Sequence, residues 1–148
     1  MEKKNIDWSN LGFGYIQTDY RYVSNYKNGA WDEGCITTDS NIVLNECAGV
    51  LQYAQTVFEG LKAYTTEDGR IVTFRPDLNA ARMVTSAQRL EMPAFPEERF
   101  IEAVEKNYLN CIVLLENQIP TAFLVYTSSI SESIELNIIH CLGTEDEV

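Results

Sequence analysis

Residues 51–90, LQYAQTVFEGLKAYTTEDGRIVTFRPDLNAARMVTSAQRL, join two alternating strands through an Asp-Gly turn and then open a helix on a proline. Residues 57–65 and 70–74 intersperse apolar and aromatic side chains with polar ones, as a half-buried strand does. Asp68-Gly69 between them is a strong short-range hairpin signal. Pro76 then presets φ for a first helical turn, and Asp77 sets a negative charge against the positive end of the helix dipole. No breaker interrupts the helical pattern over 78–90. A strand pair feeding a helix is the centre of the chain.

Working outward from that helix, Ala80, Met83, Val84, Ala87 and Leu90 fall on one side, whereas Arg82, Thr85 and Arg89 fall on another. A further helix is expected from Pro96, with Glu97 and Glu98 in its first turn and Ile101, Val104, Tyr108, Cys111, Ile112 and Leu115 at three- and four-residue spacing, ending by Pro120. Residues 121–129 and 134–142 have strand character, and the acidic end GTEDEV is expected to fray. On the N-terminal side, Phe13, Tyr15, Tyr20, Tyr22, Val23 and Tyr26 are spaced by polar residues, and Asn28-Gly29 marks a second hairpin before Ala30 and Trp31. Residues 32–41 are polar and turn-rich, so a connection is expected there. A short strand follows at 42–44, and a brief helix from Asn45 or Glu46 to Tyr53. Gly12-Phe13-Gly14 lacks the third glycine and following helix of a phosphate loop, and a bend at a strand edge is the better reading.

With 148 residues and 45% hydrophobic content the chain can bury one core, and the element order gives an α/β (α+β) fold class. Eleven basic against 22 acidic residues leave a formal charge of -11, which disfavours nucleic acid and anionic membrane as partners. There is no apolar run long enough to span a bilayer, and the first ten residues lack the apolar segment of a signal peptide, so a cytoplasmic protein is expected. Cys35, Cys47, Cys111 and Cys141 form no CxxC pair. With His140 as the single histidine they make no convincing zinc set, and reduced thiols are expected.

The short catalytic signatures do not help. Carboxylates are abundant without a recognisable acid/base spacing, and serine-nucleophile, Walker, HExxH and calcium-loop motifs are absent. Two features resemble a site for a small anionic molecule. Arg75 and Arg82 flank the first turns of the helix from Pro76, where guanidinium forks and free backbone N–H groups suit a phosphate monoester, although solvated arginines are the commoner explanation. Tyr53, Phe58 and Tyr64 could form an apolar wall with a polar tip, although core packing explains such aromatics more often.

YAQTVFEGLKAY, followed by DGRIVTFRPDLNAARM and SAQRLEMP, resembles the N-terminal part of the bacterial branched-chain amino acid aminotransferases. The likeness runs from about Trp8 to about Lys106, and FEGLKAY beside FRPDLN is specific to that family. It implies a fold-type IV pyridoxal 5'-phosphate enzyme, whose small domain has an antiparallel-rich sheet with two main helices packed on it. The implied reaction is amino-group transfer between leucine, isoleucine or valine and 2-oxoglutarate, carried out by a homodimer. Within the resemblance Arg82 matches the arginine that binds the cofactor phosphate, which overturns the solvated reading. Tyr53 and Phe58 match aromatics lining the pocket for the branched side chain, and Lys62 stands where the family has a basic residue near the site. An aromatic wall suits aliphatic side chains, although one methylene is worth only about 1 to 3 kcal/mol of discrimination. Ala54 stands where some relatives have glycine or serine.

Beyond Lys106 the likeness stops. The expected organisation is a small domain over 1–106 and a divergent C-terminal extension over 107–148, packed on or fraying from it. Family members are considerably longer, and their Schiff-base lysine lies in a second domain. Lys62 is not that lysine, and no catalytic residue is assigned here. A truncated or frame-shifted reading of a longer gene would give this pattern, and a chain without the lysine is expected to be inactive alone. The alternative is a non-catalytic interaction or dimerisation module that keeps the small-domain fold.

Overall fold

The computed structural model describes residues 20–111, 121–130 and 133–142. Strands β1 (Arg21–Lys27), β2 (Ala30–Trp31) and β3 (Cys35–Thr37) come first, then the short helix α1 (Gly49–Tyr53). Strands β4 (Thr56–Thr65) and β5 (Ile71–Thr73) follow, then helices α2 (Pro76–Arg89) and α3 (Glu97–Cys111), and strands β6 (Thr121–Ile130) and β7 (Ser133–Leu142). The strands pair antiparallel throughout in the order β2-β1-β7-β6-β4-β5, with β3 also on β1. An antiparallel sheet with two main helices on it is the expected fold class.

Both hairpins form where the sequence signals them, by different turns. Asn28 and Gly29 both take positive φ (54° and 83°), the two-residue turn whose twist matches the flanking strands. At the second hairpin Thr66 N–H donates to Arg70 O (2.8 Å) and Gly69 N–H to Thr66 O (2.8 Å), and only Gly69 is left-handed. That is a longer loop ending in a left-handed residue, with Asp68 serving as a side-chain acceptor from Thr66 and Arg70.

Three local expectations need correction. Residues 32–41 do not merely connect, because Cys35–Thr37 pairs with β1 through Arg21↔Thr37, Tyr22↔Ile36 and Val23↔Cys35. Its alternation is too short to stand out among polar neighbours. Residues 42–44 are not a strand: they pair with no strand among the described residues, and Val43 is 86% exposed. The brief helix starts at Gly49, because the side chain of Asn45 instead accepts the N–H of Cys47 in a turn. It ends on Ala54, which is left-handed (φ 49°), a conformation costing a residue with a Cβ about 1 kcal/mol and explaining why glycine suits this position. Phe13, Tyr15, the Gly12-Phe13-Gly14 bend, the end of the second long helix beyond Cys111 and the acidic end lie outside the described residues.

The core lies between one face of the sheet and the two helices. Val57, Leu61 and Ala63 of β4 and Tyr22 of β1 pack with Ala80, Met83 and Ala87 of α2 and Phe100, Ala103 and Val104 of α3. Of the stripe expected on α2, Ala80, Met83 and Ala87 are buried, Val84 is half-buried and Leu90 is exposed at its end. Helix α2 stops in a defined way: Glu91 is left-handed, its N–H donates to Gln88 O (3.1 Å), and Met92 N–H reaches back to Ala87 O (2.9 Å). Met92 and Phe95 are turned inward by this reversal and complete the core.

The turn after β2 is held by one carboxylate. Asp32 accepts from Ser24 Oγ (2.9 Å), Asn25 N (3.0 Å), Asn25 Nδ2 (3.1 Å) and Gly34 N (3.0 Å). Partial burial pushes its pKa up, but the hydrogen bonds from Asn25, Ser24 and Gly34 outweigh this and hold it below the usual carboxylate value. A folded-state pKa below the unfolded one means that the stabilisation is full above the unfolded pKa and is lost as pH falls through the folded pKa. We therefore expect Asp32→Asn to be less stable than the wild type at neutral pH, with the gap closing on acidification below about pH 4. Urea titrations across that range would show a constant gap if the account were wrong.

Candidate functional site

Strand β4 alternates strictly. Val57, Glu59, Leu61 and Ala63 face the helices and are buried, whereas Phe58 and Tyr64 are exposed on the other face. Glu59 is the anomaly, a carboxylate only 3% exposed at a core position. Its partners come from α2. Arg82 Nε donates to Glu59 Oε1 and Arg82 Nη2 to Oε2, both at 2.6 Å, a bidentate fork. Asn79, one turn earlier on the same side, donates through Nδ2 to Glu59 Oε2 (2.9 Å) and to Gly60 O (2.8 Å). The buried charge is thereby both paired and hydrogen-bonded, as its burial requires.

Arg82 has two environments at once. Its inner edge is committed to Glu59, yet its side chain is 61% exposed, and Nη1 makes no hydrogen bond among the described residues. The hydrogen bond to Glu59, and then the charge of that carboxylate, raise the pKa of Arg82 above its ordinary value, so it stays cationic. A fixed guanidinium with an open outer edge suits an oxyanion. Arg75 is arranged otherwise. It forks onto Asp77 (Nη2–Oδ2 2.7 Å) on the surface, so the two arginines do not share one anion site.

The structure separates the remaining expected residues. Tyr53 closes α1 and is 87% exposed, Phe58 is 59% exposed, and neither packs in the core. Lys62 lies in β4 with the same strand parity as Phe58 and Tyr64. Phe58 and the Glu59–Arg82 pair are adjacent in sequence but on opposite faces of β4. Among the described residues β6 pairs with 56–63 of β4, while β5 pairs only with Ala63, Tyr64 and Thr65. Phe58, Glu59 and Gly60 thus have a strand partner on one side only among the described residues, between an apolar face and a cationic one. Sequence reasoning missed Glu59 and Asn79. The available signal was a carboxylate at the parity of Val57, Leu61 and Ala63, where a strand facing a core should be apolar.

Among the described residues no group of histidine, cysteine and carboxylate side chains could hold a metal, and no helix is long and apolar enough to cross a membrane. Cys35 and Cys47 are free and exposed.

No family model matches the sequence. A branched-chain-amino-acid aminotransferase of Haemophilus influenzae is 52% identical over 103 residues, covering 70% of this chain and 30% of that protein. One from Helicobacter pylori is 48% identical over 100 residues, covering 68% and 29%. A methionine aminotransferase of Arabidopsis thaliana is 46% identical over 103 residues, covering 69% and 29%. The chain thus spans about three tenths of the length of the curated relatives it matches. Among solved structures, the fold resembles the branched-chain aminotransferases of Thermobaculum terrenum (TM-score 0.63, 14% identity, 86% of this chain and 41% of that one) and Escherichia coli (TM-score 0.63, 17% identity, 84% and 41%). Fold likeness thus reaches further along the chain than sequence likeness, and the region from Thr121 supplies the two strands that join β1 to β4. The FEGLKAY and AARM segments lie at the paired face of β4 and α2; the solved structures share the fold, and the sequence places this chain with the branched-chain-amino-acid aminotransferases, as an N-terminal part of one.

Proposed function

We propose that these 148 residues form the small-domain part of a pyridoxal 5'-phosphate-dependent aminotransferase that moves amino groups between branched-chain amino acids and 2-oxoglutarate. The observation that carries the reading is the outward edge of Arg82, held beside the FEGLKAY strand in a chain 52% identical over 103 residues to a named aminotransferase. In this reading Arg82 binds the cofactor phosphate through its outer N–H groups. Tyr53 and Phe58 supply apolar surface for an aliphatic side chain, and Lys62 adds positive charge near the substrate carboxylates. A flexible thioether would fit the same apolar surface, in keeping with the relative named for methionine.

When bound, the cofactor supplies an electron sink for the substrate carbanion. The chain's own residues bind and orient. None of them is assigned to move the proton, a task this reading gives to a lysine from the part of the family not matched here. The proposed organisation is a small domain over 1–106 with a divergent 107–148 packed on the same domain, where β6 and β7 complete its sheet, working as a homodimer in the cytoplasm.

The experiment is direct. The purified chain is mixed with pyridoxal phosphate, leucine and 2-oxoglutarate, and no glutamate above the protein-free control is expected. Sustained leucine-dependent glutamate formation, with cofactor fixed to the chain by borohydride, would show that it carries its own catalytic lysine.

A further inference from the structure

We infer that Glu59 and Asn79 are positioning residues, which hold the guanidinium of Arg82 so that its outer edge meets the phosphate of a phosphorylated ligand. The inference rests on the reading of Arg82 as a phosphate ligand and assigns the residues that make it one. An exposed arginine samples many rotamers, and ordering it on binding costs affinity. Here the ordering is done beforehand. The carboxylate of Glu59, 3% exposed on β4, takes both inner N–H groups of Arg82 at 2.6 Å. Asn79 fixes that carboxylate in turn, bridging Glu59 Oε2 (2.9 Å) and Gly60 O (2.8 Å). Strand, helix and guanidinium are thus tied at one point, and what remains free of Arg82 faces solvent.

Positioning and simple electrostatics make opposite predictions. Glu59 is an anion beside the cation that would hold a phosphate, so its charge alone weakens anion binding, and removing it would tighten binding. If positioning dominates, removing it loosens binding.

The test uses the full chain, inorganic phosphate as probe, and the nuclear magnetic resonance signal of Arg82 Nε–H. In the wild type this signal is expected in the ion-paired position and to shift saturably with phosphate. In Glu59→Gln it moves to the position of a free arginine and phosphate affinity falls by about fivefold. Asn79→Ala, a smaller change, shifts both in the same direction by less and carries the test if Glu59→Gln does not fold. Phosphate affinity unchanged or raised in these variants overturns the inference. If Arg82→Ala abolishes phosphate binding while Glu59→Gln leaves it intact, the positioning role fails and the phosphate reading stands. If phosphate moves no wild-type Arg82 signal, both fall together.

Discussion

Phe95→Ala is expected to lower the unfolding free energy by about 4 kcal/mol, within the usual range for an aromatic truncated in a packed core. Phe95 is 1% exposed, in the segment that reverses α2 into α3. Its ring meets Trp31 edge-on with centroids 4.9 Å apart, and the guanidinium of Arg99 lies 5.0 Å above it. Trp31 in turn packs on Tyr26 at 5.3 Å and donates from Nε1 to Ala94 O at 3.0 Å. Phe95 thereby helps to fasten the first hairpin to the helical layer, beside the buried Tyr22 of β1, and the loss includes ring–ring and cation–π contacts beyond buried area. A domain whose whole stability is about 5 to 15 kcal/mol would be left marginal. Urea unfolding followed by circular dichroism measures it, and a loss below about 1 kcal/mol would show that the hairpin is not fastened there.

Gly34→Ala should cost about 3 kcal/mol, from two sources that add. Gly34 has φ +70°, a conformation that penalises any Cβ. An added Cβ would also overlap the Oη and Cζ atoms of Tyr22. The phenol cannot swing aside cheaply, because Tyr22 is 2% exposed in the core and its hydroxyl donates to Glu33 O at 3.2 Å. Thermal and urea unfolding of the variant check this. A loss confined to the conformational part, about 1 kcal/mol, would mean that the ring has room to move.

The long elements were legible because their patterns repeat. Two hairpin signals, a proline-opened helix and a second amphipathic helix gave the sheet and its helical layer, and 121–129 and 134–142 were readable as strands. Strand β3 and the coil at 42–44 were not legible, since a three-residue pairing is decided by the neighbouring strand rather than by its own composition. Arg82 was recognised only through family likeness. Helical spacing shows that it lies off the apolar stripe, but not that a buried carboxylate lies across from it on β4. Glu59 and Asn79 are 20 residues apart in sequence and meet only when α2 docks on the sheet, so no local pattern joins them. The aromatic wall drew on Tyr53, Phe58 and Tyr64. None of the three is buried, and the core is instead filled by Phe95, Phe100, Met83 and Val104.

The central claim is that Arg82 holds a cofactor phosphate, and it is tested most directly by comparing pyridoxal phosphate with unphosphorylated pyridoxal in binding titrations of the wild type and Arg82→Ala. The account predicts a preference for the phosphorylated form of about tenfold or more in the wild type, lost in the variant. Equal binding of the two forms by the wild type, or a preference that survives in Arg82→Ala, would contradict it.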